Sequence, residues 1–325
     1  MTLLLYGAGP GERMAAFAVN EVSAMSHHDQ LLRFNFQRLD IRGELVYLDQ
    51  SWQQVLARYD YPEAVRLQLG YALAAVVLLS ATIKFNGNMI LQVQGDGPIK
   101  RLVVQVGSDG TLRGLARWEG HVPEGSLQQV FGEGRIVITV FTAGADPYQS
   151  IVAMEGHTLA DALNVYFMQS EQLPSTFRLV ATPERVAGFF LQQLPDHRSE
   201  RERQLAEHAR EDDWTRVNLL AATLGVSELL QLEPKQLLFR LFHEDEVLLH
   251  APKQLRFSCT CSREKVERTL ITMGREEVED IVRSEGQVEV DCEFCQQRYV
   301  FRQADVAPLF ERGGDEALPP GTVVH

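Results

Sequence analysis

Phe257-Ser258-Cys259-Thr260-Cys261-Ser262-Arg263-Glu264 and Gly286-Gln287-Val288-Glu289-Val290-Asp291-Cys292-Glu293-Phe294-Cys295 organise the reading of this chain. They hold all four of its cysteines, and residues 1–258 hold none. A C-x-C pair and a C-x-x-C pair stand 30 residues apart. Sulfur is soft, and four thiolates suit a tetrahedral zinc ion at about 2.3 Å. One or two intervening residues let both sulfurs of a pair reach the same ion. Cys259, Cys261, Cys292 and Cys295 are therefore the expected ligands of one zinc. With four protein ligands, no position stays open for a catalytic water. An iron–sulfur cluster is the alternative occupant, and the C-x-C arm suits it less well. Secreted disulfide frameworks spread their cysteines through a small domain, so the long cysteine-free stretch points to a reducing, cytoplasmic setting.

Residues 257–311 surround these pairs and are poor in large apolar groups. Leu270, Ile271, Val278, Ile281, Val282, Val290, Tyr299, Val300 and Phe301 are most of the core on offer. A domain this small needs a staple, and structural zinc supplies on the order of 10–16 kcal/mol in finger-like peptides. The same thiolates are nucleophiles and can oxidise. Spacing alone leaves two readings open: a permanent structural zinc, or a metal site that doubles as a redox switch.

The whole chain has 325 residues, with 31 Lys+Arg against 44 Asp+Glu and a net charge of −13. Apolar residues make up 45 % and charged residues 23 %, the balance of a globular protein with a real core. The acid excess, with no Lys/Arg-rich run, excludes a binder that works by neutralising nucleic-acid phosphates. No membrane partner is expected, because the most apolar stretch, Leu67 to Ala81, falls short of the roughly 20 residues a span needs.

The predicted fold is α+β. Residues 25–195 read as an antiparallel-rich domain of sheet and helix. Leu31 to Leu39 is predicted helical, Arg42 to Leu48 a strand, Trp52 to Tyr59 a short helix. Pro62 opens a long helix to about Thr82, apolar on every side at its centre and so buried against a sheet. Strands are predicted at Met89–Gln94, Leu102–Val106, Leu112–Trp118, Arg135–Phe141, Ser150–Glu155, Thr176–Ala181 and Ala187–Leu194, with a helix at Thr158–Gln169. Glycine turns separate them, among them Gly95-Asp96-Gly97-Pro98 and Gly132-Glu133-Gly134. The first of these lacks the lysine of a phosphate loop. Residues 196–256 read as a helical linker. In Asp196 to Asp213, 11 of 18 residues are charged. Val217, Leu220, Leu224, Leu229, Leu230 and Leu238 then form an apolar stripe expected to pack on the N-terminal domain. Residues 257–311 form the small zinc domain and 312–325 a flexible tail. Residues 1–24 read as a disordered extension, with Met25 as an alternative start. Leu3 to Gly11 only imitates a dinucleotide turn, since Glu12 stands where the third glycine belongs.

With these pieces in order, the chain resembles the redox-regulated holdase chaperones of the heat-shock protein 33 family. The cysteine motifs carry the likeness, with Tyr299-Val300-Phe301 after them. His28-Asp29-Gln30-Leu31, Ile41-Arg42-Gly43-Glu44-Leu45-Val46, Gln92-Val93-Gln94-Gly95-Asp96-Gly97-Pro98 and Gly132-Glu133-Gly134 also fit. So do Tyr166-Phe167-Met168-Gln169-Ser170-Glu171-Gln172-Leu173-Pro174 and Leu241-Phe242-His243-Glu244-Asp245-Glu246-Val247. Gln296-Gln297 stand where the family often has a small turn former. The resemblance, over about residues 28–310, implies an ATP-independent holdase and no enzyme. The family is inactive as a reduced, zinc-bound monomer. Oxidation forms disulfides, here expected as Cys259–Cys261 and Cys292–Cys295, and releases the zinc. The linker then unfolds, and homodimers hold unfolding client proteins. Two other classes compete: a thiol–disulfide oxidoreductase, and a constitutive zinc-ribbon binding module. The first lacks a thioredoxin-like setting around its C-x-x-C. The second, as a nucleic-acid module, is disfavoured by 8 basic against 14 acidic residues in 257–325.

Overall fold

The centre of the long N-terminal helix, Leu73 to Leu79, has no polar face, so water cannot cover any side of it and two sheets must. The computed structural model describes residues 29–195 and 200–312, with side chains to Pro195 and from His208 to Glu311. The expectations for residues 1–24 and for most of the tail lie outside the described residues. In chain order the elements begin β1 (Gln30–Phe36), β2 (Ile41–Leu48), α1 (Gln50–Leu56) and α2 (Glu63–Thr82). They continue with β3 (Gly87–Gly95), β4 (Ile99–Gly107), β5 (Thr111–Trp118), α3 (Leu127–Phe131), β6 (Gly134–Thr142) and β7 (Tyr148–Val152). Next are α4 (Leu159–Tyr166), which ends in a π-helical turn, then β8 (Ser175–Ala181) and β9 (Val186–Gln193). Three helices follow: α5 (Glu200–Ala222), α6 (Val226–Gln231) and α7 (Pro234–Phe242). Three short strands come after them: β10 (Val247–Leu249), β11 (Lys253–Gln254) and β12 (Arg256–Phe257). The C-terminal part holds α8 (Arg263–Met273), α9 (Arg275–Glu285), β13 (Gln287–Asp291), β14 (Arg298–Arg302) and α10 (Gln303–Arg312).

The first sheet has the order β10-β1-β2-β9-β8, with β11 also on β1; the second has the order β12-β5-β4-β3-β6-β7. All pairs are antiparallel except β12 on β5. Between the sheets lies α2, with Leu69, Leu73, Val76, Val77 and Leu78 fully buried. Its length and hydropathy would suit a membrane span, but 72 % of the relevant stretch is buried inside the protein. It is a core helix. One core joins it to Val46, Leu48 and Phe190 of the first sheet and to Leu91, Val104, Leu112 and Ile138 of the second. The opposite face of the first sheet is covered by α5–α7, where Val217, Leu224, Leu229, Leu237, Leu238 and Phe242 meet Phe34, Phe36, Leu45 and Phe189. The order of layers is thus second sheet, α2, first sheet, helices.

Leu31 to Leu39, expected to be helical, is the strand β1. Leu32, Phe34 and Phe36 point to the outer core and Leu31 to the inner one. Both faces are covered, so apolar residues fall at adjacent positions and imitate helical spacing. The strand expected at Ser150–Glu155 is β7, which starts and stops earlier. Residues 196–256 are helical only as far as Phe242 among the described residues and then supply β10–β12. Gly43 on β2 admits the Phe34 ring, since a Cβ there would come within 2.2 Å of it. The two glycine turns meet. Gly97 N–H donates to Phe131 O at 2.8 Å, and Glu133 N–H donates to Asp96 Oδ1 at 2.8 Å.

One buried charge stands out. Glu44 is 1 % exposed between β1 and β9, and its Oε2 has no hydrogen-bond partner. Burial pushes its carboxyl up to about 7, with Arg42 and Arg33 offsetting only part of the cost. Unfolded, the group ionises near 4.5. Between those values the folded chain holds a proton that the unfolded chain has lost, so this group's contribution falls as pH rises through the window. Glu44→Gln removes that titration. The variant should gain about 3 kcal/mol over the parent near pH 8 and little near pH 4, read from urea unfolding. An equal gain at both values would rule the assignment out.

Candidate metal centre

The first cysteine pair follows directly on β12. That strand adds in parallel to β5, and Ser258 N–H extends the pairing by donating to Leu112 O at 3.0 Å. Ser262 then caps α8, its side chain accepting from Lys265 N–H. The second pair sits in the loop of the β13–β14 hairpin. Within that loop Gln296 N–H donates to Cys292 O at 2.7 Å and Cys292 N–H to Gln297 O at 2.9 Å. Gln296 adopts a left-handed φ of 59°, the conformation that favours Gly or Asn. Its side-chain amide donates to Arg58 O, which helps to hold it there. The hairpin tolerates glutamine at this turn because the loop is held at both ends.

The four sulfurs all lie within 4.8 Å of one another and are half-buried, and none is in a disulfide. Cys259 Sγ is 3.6 Å from Cys292 Sγ, and Cys261 Sγ is 3.3 Å from Cys295 Sγ. Four sulfurs on a tetrahedron at about 2.3 Å from zinc would be about 3.8 Å apart, so the cluster has the size zinc needs. The donor set fits as well. Without a cation, Cys259 is held down to about 4 by the Cys292 thiol donating to it, and that donation pushes Cys292 up. One thiolate is thus made comfortable at its neighbour's expense. A divalent ion is what lets all four carry charge together. The residues read from sequence as ligands are brought together, all four of them.

Around the sulfurs stand residues that spacing did not reveal. Tyr299 O–H donates to Cys261 Sγ at 3.2 Å, and Arg113 Nη1 to Cys259 Sγ at 3.7 Å. Glu293, inside the C-x-x-C, is bridged by Arg101 at 2.9 Å and Arg117 at 3.1 Å. Tyr59 O–H donates to the Glu293 carbonyl at 2.8 Å and accepts from Arg117 at 3.1 Å. The Arg113 guanidinium lies 4.0 Å from the centre of the Phe294 ring. These contacts seat the hairpin loop on the outer face of β4 and β5. The signal for them was alternation of Arg101, Arg113 and Arg117 with apolar residues on those strands, which marks an outward face without naming what covers it.

Below the metal site the core is small. Val266, Leu270, Val278, Val282, Val288, Phe301, Val306 and Leu309 are its buried apolar residues. Arg263 lies over Phe301 at 4.2 Å and caps this core on the metal side.

With this geometry in hand, comparison with known proteins is informative. Residues 29–302 match the family model described as Hsp33 protein. The chain belongs to the Hsp33 family. It is 49 % identical over 286 residues to the 33 kDa chaperonin of Nitrosococcus oceani, covering 88 % of this chain and 96 % of that protein. The 33 kDa chaperonin of Pseudomonas aeruginosa is 42 % identical over 295 residues, covering 90 % and 98 %. The crystal structure of the 33 kDa chaperonin (Heat shock protein 33 homolog) from Thermotoga maritima superposes with a TM-score of 0.75 at 24 % identity. It covers 89 % of this chain and all of that one, a likeness of fold. Membership of the Hsp33 family makes this chain a chaperone, and its α+β fold is shared with the Thermotoga maritima protein.

If the cluster holds zinc as a four-thiolate site, single Cys→Ser variants should each lose tight, stoichiometric metal. They should also lose amide protection in α8–α10 and β13–β14, because the eight-residue core cannot stand alone. Metal analysis and hydrogen exchange on the reduced chains measure both. Near-stoichiometric tight zinc in Cys292→Ser would remove Cys292 from the ligand set.

Proposed function

We propose that this chain is a redox-regulated, ATP-independent holdase of the cytoplasm, with no catalytic turnover of its own. In this reading the reduced chain binds one zinc through Cys259, Cys261, Cys292 and Cys295 and is an inactive monomer. Oxidation joins the thiols as disulfides, discharges the metal and activates the chain, which pairs as a homodimer and binds unfolding client proteins. The observation that carries the proposal is the four-sulfur cluster in an Hsp33-family chain. Its half-burial is consistent with oxidant access.

When bound, zinc would supply charge balance and a fixed crossing point for the two arms. The rest falls to the chain's own residues. Tyr299 and Arg113 donate to the sulfurs of the first pair and steady them. The β13–β14 hairpin keeps the second pair at a fixed loop. In the redox step each pair of thiolates gives up two electrons as its disulfide forms, and a peroxide-class oxidant such as hydrogen peroxide takes them with two protons from solvent and leaves as two waters.

All the sulfurs are mutual neighbours, and the shortest contacts run between pairs, Cys259 to Cys292 and Cys261 to Cys295. Proximity therefore does not choose the pairing. Adjacent disulfides, Cys259–Cys261 and Cys292–Cys295, are our reading because one or two intervening residues keep the sulfurs of each pair together, so each bond forms with little chain movement. The one-residue loop of the first is the tighter and should be the more easily reduced. Peptide mapping after peroxide decides it, and a dominant Cys259–Cys292 link would overturn the adjacent scheme. An oxidoreductase is the weaker reading, because this C-x-x-C lies in a hairpin loop rather than at a helix N-terminus.

In this proposal residues 25–195 are the chaperone domain, 196–256 the linker and 257–311 the switch. Helices α5–α7 cover an apolar sheet face, and uncovering that face would present Phe34, Phe36, Leu45 and Phe189 to clients. Leu224→Glu puts a charge into that contact at a position 9 % exposed. The variant should suppress client aggregation while still reduced and zinc-loaded, with hydrogen exchange opening α5–α7 and sparing the zinc domain. If α5–α7 open and aggregation proceeds as in the parent, exposure of this face is not the trigger.

A further inference from the structure

Three arginines stand on the outer face of β4 and β5, and two of them, Arg101 and Arg117, share one carboxylate. Arg101 and Arg117 are cross-strand partners, and Arg113 pairs across from Gln105. Like charges set directly opposite each other on a sheet repel. Glu293 relieves that repulsion by placing one oxygen on each guanidinium. Among the described residues no other carboxylate lies within 4.0 Å of Arg101, Arg113 or Arg117. Arg113 instead gives its edge to Gln105 Oε1, at 2.8 and 3.0 Å, and its flat face to Phe294. The face is thus shaped for two consecutive side chains. A carboxylate fits between two guanidiniums, and an aromatic ring fits under a third. Tyr59 adds a donor for the backbone carbonyl of the acidic residue.

We propose that this face is a docking site for an acidic residue followed by an aromatic one in an unfolded client segment. In the zinc-bound chain Glu293-Phe294 fills it from within. The proposal rests on the holdase reading, in which metal loss frees the hairpin. Two observations favour a client over other occupants. The template already seated there is two consecutive residues of one short turn, closed by Gln296 N–H on Cys292 O, so the face reads a local stretch of chain that an unfolded segment can supply without any distant fold. And the vacated face would be an island of positive charge on a chain of net charge −13, where acidic segments would otherwise be repelled. Apolar contact alone selects only for stickiness; this face would add a preference for composition.

The test uses the full chain and a short labelled Gly/Ser peptide with a central Glu-Phe, followed by fluorescence anisotropy. The double variant Glu293→Ala/Phe294→Ala keeps all four cysteines and vacates the face without any oxidant. Reduced and zinc-loaded, it should bind the peptide about tenfold more tightly than the reduced parent does. Adding Arg101→Ala/Arg117→Ala should abolish that gain, and so should a Gln-Phe peptide or about 0.5 M salt. Because the Gln-Phe control alters only the peptide, it stays decisive even if the arginine variants fold poorly. The peroxide-treated, zinc-free parent should bind like the vacated variant. Equal affinity of parent and vacated chain would overturn the proposal, as would equal affinity for Glu-Phe and Gln-Phe peptides. Oxidised parent that dimerises and excludes the peptide would assign the face to a second copy, which also overturns it. A chain that binds the peptide when vacated yet is not activated by peroxide would sink the redox reading and leave this site standing.

Discussion

Four sulfurs within 4.8 Å of one another cannot all be thiolates unless a cation sits among them. That constraint organises residues 257–311. The arms that carry the sulfurs come from places with little in common, one from a strand tail on β5 and one from a hairpin loop. Eight buried apolar residues are too few to hold such arms together. On the proposed reading, the charge balance at the sulfurs decides whether the hairpin stays where it is. The hairpin in turn decides whether the arginines of β4 and β5 are neutralised or left facing one another.

The segment between the helices and the first cysteine passes this dependence inward. From Val247 to Phe257 the chain adds β10 and β11 to the first sheet and then β12 to the second. These strands are only two or three residues long, so each is held by few hydrogen bonds. One strip thereby spans both sheets and ends at the metal arm. Arg185 anchors the helical layer in the same way, with a bidentate contact to Asp49 and a bond to the Leu230 carbonyl at 2.6 Å.

Much of this was legible from residues alone, for physical reasons. Paired cysteines at such spacing stand out in a chain with no others, so Cys259, Cys261, Cys292 and Cys295 were legible as candidate ligands, and the fold brings their sulfurs together. The helix α2 was readable as buried because its centre, Leu73 to Leu79, is apolar on every side. The strand β1 was misread because Leu31 and Leu32 feed two different cores, which erases the alternation that marks a strand. The arginine face was not readable. Glu293 is 192 positions from Arg101 in sequence, and the pairing of Arg101 with Arg117 depends on register and on a shift in the β4–β5 ladder near Ile99. The strands β10–β12 are too short to leave any pattern.

The position of α2 in the layer order bears on how the chain is made. Its inner neighbours β1 and β2 precede it, but the strands that complete its cover, β8 and β9, lie roughly a hundred residues downstream. At about 5–20 residues per second, a ribosome needs on the order of ten seconds to deliver them. For that interval the chain carries a naked helix greasy enough for a bilayer. A chaperone's own nascent chain is then, for a while, the kind of molecule that chaperones exist to shield.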